Sequence, residues 1–97
     1  MSERTTNDDG SPASDGVTVY GATWCHDTKR SRALLERVGV AYSFVDIDRD
    51  NAAGQWVERH NGGGRSIPVI VLPDGTSMTE PGDEEVATAR QAAGSLN

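Results

Sequence analysis

Val17-Thr18-Val19-Tyr20-Gly21-Ala22-Thr23-Trp24-Cys25 is the stretch on which the fold turns. Its first four residues are β-branched or aromatic and read as a strand, and Gly21-Ala22-Thr23-Trp24 reads as a turn. A helix is expected over 25–38. Ser31, Leu34, Leu35 and Val38 form its buried stripe, and Gly39 ends it. The next strand is expected over 40–47, with Tyr42, Phe44 and Asp46 on one face and Ser43, Val45 and Ile47 on the other. Residues 48–60 read as a second helix on which Ala53, Trp56, Val57 and His60 share a face, and Asn61-Gly62-Gly63-Gly64 breaks it. Ile67-Pro68-Val69-Ile70-Val71-Leu72 is too short and too β-branched for a helix. Pro73-Asp74-Gly75 turns the chain, and 76–79 returns as a short edge strand. Asp83-Glu84-Glu85 opens a last helix with acids at its positive pole, and Val86, Ala89 and Ala93 form its apolar stripe. The order is β-α-β-α-β-β-α. A helix between the first two strands makes them parallel with a right-handed crossover, and the last two form a hairpin. The result is an α/β domain with a four-stranded mixed sheet.

The remaining sequence bounds what such a domain does. Ninety-seven residues allow one small core, and no apolar run reaches the length of a membrane-spanning helix. Nine basic residues against fifteen acidic ones, a net charge of −6, argue against a nucleic-acid face. One cysteine excludes an internal disulfide and any multi-cysteine zinc site. Residues 2–16 hold one small apolar side chain and two glycines, so 1–16 is expected as a disordered tail and 17–97 as the domain. On that division, deleting 2–16 leaves the melting temperature nearly unchanged. With no apolar leader in the first sixteen residues, the expected location is the cytoplasm.

Cys25 carries the chemistry. At the start of a helix, free N–H groups and the helix dipole favour the thiolate over the thiol. Lys29, one turn on, adds positive charge, Asp27 opposes it, and His26 acts either way. The competing reading is a buried structural cysteine. Trp56 reads as core, with His60 packed beside it. Gly62-Gly63-Gly64 lacks the Lys-Ser/Thr and helix of a phosphate loop, and His26 beside Cys25 has no chelate spacing, so no metal site is expected.

The segment 19–29 resembles the active-site stretch of the glutaredoxins, within the thioredoxin-like superfamily. The resemblance continues through Phe44-Val45-Asp46-Ile47-Asp48, then Asn61-Gly62-Gly63-Gly64-Arg65-Ser66-Ile67-Pro68. It ends at Asp74-Gly75-Thr76-Ser77-Met78-Thr79-Glu80-Pro81, which is similar to the mycothiol-linked branch called mycoredoxins. It implies a thioredoxin-like (glutaredoxin) fold and a catalytic Cys25 that attacks a disulfide. It makes Pro68 a cis-proline facing Cys25 and pairs the Ile67 backbone with the bound thiol. It sets Arg65 by the ligand's carboxylates and Thr79, Glu80, Pro81, Gly82 and Asp83 at the end of the thiol groove. Pro68 as a plain strand-start proline and Arg65 as a solvated loop residue are the plainer readings. Trp24 either flanks the thiol or covers the end of the sheet.

Two departures shape the function. Dithiol members have a second cysteine three residues after the first, where Thr28 stands here. Thr28 either hydrogen-bonds the thiolate or fills the space. A dithiol cycle is excluded by counting, which leaves a monothiol one with a small thiol as co-substrate. Thr79-Glu80-Pro81 replaces the Gly-Gly of many glutathione-using members, and Glu80, Asp83, Glu84 and Glu85 would repel an anionic thiol. A mycothiol-like co-substrate therefore fits better than glutathione. The expected partners are this thiol and oxidised client proteins, acting on a monomer with no bound cofactor. The alternatives are a non-catalytic thiol- or client-binding domain, and a dimeric iron–sulfur carrier. Monothiol carriers usually have Gly-Phe-Ser after the cysteine, which His26-Asp27-Thr28 does not match.

Overall fold

The computed structural model of the chain describes residues 6–13 and 16–89. Its elements run β1 (Val17–Gly21), α1 (His26–Arg37), β2 (Tyr42–Asp46), α2 (Asn51–His60), β3 (Val69–Val71), β4 (Ser77–Thr79) and α3 (Asp83–Ala87). The sheet order is β2-β1-β3-β4. β1 and β2 are parallel, and the β1–β3 and β3–β4 pairs are antiparallel. This is the mixed four-stranded sheet expected from the sequence. Ala93 and the end of the last helix lie outside the described residues.

Alternation along the strands divides the core in two. Val17, Val19 and Ile70 pack with Leu34 and Leu35 of α1 and with Val86 and Ala89, and Tyr42, Phe44 and Met78 lie against them. The intervening residues Tyr20, Val45 and Val69 pack on the other face with Ala53 and Val57 of α2. A period of two along each strand therefore buries both faces, α1 and α3 over one and α2 over the other. Ser31 is buried on α1, as its place in the stripe implied. On the α2 face Tyr20, Trp56 and His60 stack in a column with centroid spacings of 4.6 and 4.7 Å, with His60 at its exposed end.

The elements are shorter than the sequence suggested because local hydrogen bonds stop them. α2 begins at Asn51, since the Asp50 carboxylate accepts from Ala53 N at 3.0 Å and caps it. Residues 46–50 are instead a turn in which Asp46 accepts from the backbone N–H groups of Asp48, Arg49 and Asp50. At the foot of the β3–β4 hairpin, Asp74 Oδ1 accepts from the Thr76 amide and hydroxyl.

The N-terminal segment departs from expectation. Residues 6–13 lie on α2 rather than apart from the domain. Thr6 is 3% exposed, and its hydroxyl donates to Asp50 Oδ2 at 2.7 Å. Gly10 is buried with φ 87, and a β-carbon there would overlap the Ala52 carbonyl, so only glycine allows this approach. Its carbonyl accepts from the Tyr20 hydroxyl at 2.6 Å, and the Asp9 carbonyl accepts from Arg59 Nη2 at 2.9 Å. A count of apolar side chains missed this segment because polar bonds and a glycine contact hold it.

Candidate active site

Cys25 is the N-cap of α1, with φ −82° and ψ 122°, and its side chain makes no capping bond. Its amide donates to Ala22 O at 3.1 Å and its carbonyl accepts from Lys29 N at 3.0 Å, so the backbone on both sides of the sulfur is fixed. The side chain is half-buried and rests on the α2-face cluster, which includes Ala22 and Ile67. A thiol here meets the positive end of a twelve-residue helix while keeping one side open.

The neighbours divide by placement. Thr28 is fully buried, its Oγ1 3.5 Å from the Ala22 amide, and a β-carbon at Gly21 would come within 2.5 Å of its side chain. The side chain thus fills the space against the end of β1. Trp24 is 68% exposed, so it does not cover the sheet, and its indole N–H donates to Asp48 Oδ2 at 2.7 Å. Lys29 and His26 are exposed, and among the described residues the Lys29 ammonium has no ion-pair partner. Asp27, which opposes a thiolate, lies 3.4 Å from Arg30, and Arg30 lies 3.6 Å from Asp83. One guanidinium thus sits between the carboxylates of α1 and α3.

The other expected site residues lie on β3, β4 and the start of α3. The Ile67–Pro68 peptide is cis, and Ile67 and Pro68 are buried. The Pro68 carbonyl accepts from Glu80 N at 2.8 Å, and Val69 pairs with Thr79. The structure therefore brings Pro68, Thr79 and Glu80 together. Gly82 N–H donates to Glu85 Oε1 at 3.2 Å, so a carboxylate of the chain itself occupies that amide. Arg30, Gly82, Asp83, Glu84 and Glu85 line a groove of about 430 Å³.

Arg65 is paired within the chain. Its guanidinium pairs with Glu58 and lies over Gly54, where a β-carbon would fall 3.0 Å from Nη1. Sequence reasoning missed Glu58 and Gly54 because the contact spans α2 and the following loop. It also missed Asp48, which no local pattern links to Trp24. The sequence reading gives Asn61 as a helix break and as part of the family-like segment 61–68, with no role of its own. Its signal was present: a side-chain amide at a helix end, directly before three glycines. Among the described residues no group of three His, Cys, Asp or Glu side chains is placed to hold a metal ion.

This sheet order, with a cysteine at the start of the first helix, is that of a thioredoxin-like fold. Solved structures share its fold. The glutaredoxin grx-1 from Archaeoglobus fulgidus matches with a TM-score of 0.66 at 25% identity, over 77% of this chain and 85% of that one. The glutaredoxin-like NrdH-redoxin from Escherichia coli matches at 0.63 and 20% identity, over 73% and 90%. The glutaredoxin family model matches residues 17–77. Mycoredoxin 1 of Corynebacterium glutamicum is 38% identical over 77 residues, 78% of this chain and 94% of the relative. A Mycobacterium tuberculosis protein bearing the glutaredoxin name is 36% identical over 70 residues, 72% of this chain and 83% of the relative. The chain belongs to the glutaredoxin family. Residues 6–13 precede the matched segment.

Proposed function

We propose that the chain is a monothiol thiol–disulfide oxidoreductase that reduces protein mixed disulfides with a small thiol through Cys25. The observation that carries this is the half-buried, uncapped thiol at the start of α1 in a chain with no second cysteine. The Cys25 thiolate attacks the small-thiol sulfur of a mixed disulfide. An S–S bond forms between Cys25 and the small thiol, the bond to the client breaks, and the client sulfur leaves as a thiolate that takes a proton from water. A second small thiol, as thiolate, attacks the small-thiol sulfur of the adduct and releases Cys25. The net reaction converts a mixed disulfide and one reduced small thiol into a reduced client and a small-thiol disulfide.

Ile67, Pro68, Thr79, Glu80, Gly82 and Asp83 form the thiol-binding wall in this reading, with Trp24 and Lys29 on the Cys25 side, while Thr28, fully buried against Gly21, has no surface to offer a ligand. Arg65 joins when it leaves Glu58, an exposed pair of small worth. Mycothiol is the first choice of co-substrate. Glu85 already occupies the Gly82 amide, and Glu80, Asp83 and Glu84 add negative charge against an anionic thiol such as glutathione. The similarity to mycoredoxin 1 supports the same choice. The setting is a reducing cytoplasm, and the unit is a monomer.

The test is intact-mass spectrometry of the reduced protein mixed separately with the disulfides of mycothiol, glutathione, bacillithiol and γ-glutamylcysteine. Each sample is then given the matching reduced thiol. One adduct, absent in Cys25→Ser and cleared within seconds, supports the reading and names the thiol. An adduct that never clears leaves a thiol-binding domain, and no adduct from any of the four overturns the proposal.

A further inference from the structure

Asn61 ties the backbone of the loop after α2 to a side chain at the distant end of β4. It is the C-cap of α2, and its side-chain Nδ2 donates to the carbonyls of Gly64 at 3.2 Å and Ser66 at 2.9 Å. Its Oδ1 accepts from the Thr79 hydroxyl at 3.2 Å. The orientation of the amide follows from its partners. Two carbonyls can only accept, so the nitrogen faces them and the oxygen is left for the hydroxyl. The loop it spans ends at the cis Ile67–Pro68 peptide, and Thr79 lies one residue before Glu80, whose amide donates to Pro68 O.

The loop has little else to hold it. Gly62, Gly63 and Gly64 contribute no side chain, and a β-carbon at any of them would meet open space. Such a run loses more backbone entropy on ordering than any other composition. Gly63 N donates to Glu58 O at 2.7 Å near its start, and the Arg65–Glu58 pair is exposed on both sides. From 64 to 66 the fixed points at the backbone are the two carbonyls that Asn61 grips.

We infer that Asn61 is a positioning residue. Its amide holds the loop before Pro68 against the end of β4 and so presets that one side of the small-thiol groove. The functional consequence rests on the reaction proposed above, whereas the mechanical claim stands without it. Ordering the loop before the ligand arrives removes that cost from binding. Loss of the clip therefore raises KM for the mixed disulfide and leaves the chemistry at the sulfur unchanged.

Asn61→Asp keeps the volume and the acceptor but turns both donated bonds into contacts between a carboxylate and carbonyls, and Asn61→Ala removes all three. In ¹⁵N relaxation of the full-length protein, the Gly64 and Ser66 order parameters should be near 0.8. They should fall below about 0.6 in both variants. KM for the mixed disulfide that turns over should rise about five- to twentyfold, with kcat within about twofold and the rate of Cys25 alkylation by iodoacetamide unchanged. Thr79→Val, which deletes one bond of the three, should show the same loop loosening at smaller size if either Asn61 variant fails to fold. Unchanged order parameters in the folded variants would overturn the clip. Unchanged KM with a mobile loop would overturn its functional part. A wild-type protein without turnover would sink the proposed reaction, and relaxation alone would then decide the role of Asn61.

Discussion

Gly21 and Thr28 compete for one volume. A β-carbon at 21 would come within 2.5 Å of both Cγ2 and Oγ1 of Thr28, and both residues are fully buried. Gly21→Ala should therefore destabilise the fold by about 1–3 kcal/mol, the usual cost of overpacking. Most of that should return in the double variant Gly21→Ala/Thr28→Ala, measured as a non-additive cycle of urea-unfolding free energies. Additive single-variant effects would mean that the two side chains do not share the space. Glu80 is the opposite case. It is the one non-glycine residue with positive φ, at 49°, among the described residues. A left-handed conformation is unfavourable for a residue with a β-carbon, so Glu80→Gly should stabilise the protein by about 0.5–1 kcal/mol after the added freedom of the unfolded chain. A melting temperature unchanged or lowered by that substitution would mean the backbone at 80 is unstrained.

At the scale of elements, the sheet and its helices were legible because burial on two faces imposes two periods. Val17 and Val19 point one way and Tyr20 the other, and the same alternation separates Phe44 from Val45. The place of Cys25 was legible too, as a strand-to-turn-to-helix boundary is a local pattern. What escaped is held by contacts between distant residues, and composition does not record these. Arg65 looked free because Glu58 is a turn and a loop away, and Gly54, which makes room for it, looked like an indifferent helix residue. The N-terminal segment is the largest such case. Its polar sequence argued for detachment, yet Thr6 bonds the carboxylate that caps α2 and Gly10 accepts from the buried Tyr20 hydroxyl. Removing residues 1–13 leaves Tyr20 without its acceptor and uncovers Asp50. The loss should be about 2–4 kcal/mol, which for a domain this size is a fall in melting temperature on the order of 10 °C. A truncated chain that melts with the full-length protein would restore the detached tail.

At the scale of the molecule, the charge inventory makes one pH window unusually readable. The chain has one lysine against eight arginines, and two tyrosines, so few side chains other than tyrosine titrate near pH 10. Burial pushes the Tyr20 hydroxyl well above the ordinary tyrosine value, and the carboxylates of Asp50 and Asp9 push it further. Tyr42 is raised as well, first by burial and then by its bond to Glu36, with Arg32 acting against the rise. A group whose folded value is raised holds its proton when the unfolded chain has released it. The stability it confers is complete below about pH 10 and is lost as the pH climbs from there through the folded value. For Tyr20, which is fully buried, the loss amounts to at most about 1.4 kcal/mol per pH unit above 10. The net charge of −6 adds self-repulsion in the same direction. Tyr20→Phe should cost about 1 kcal/mol at pH 7, where only the bond to Gly10 is lost, and should flatten the decline above pH 10. Tyr42→Phe should flatten it less, since that ring is half-exposed. Urea-unfolding free energies of the three proteins at pH 7, 10 and 11 test this. A wild-type decline that runs parallel to that of Tyr20→Phe would show that the buried hydroxyl, and with it the N-terminal segment covering it, does not set the alkaline limit.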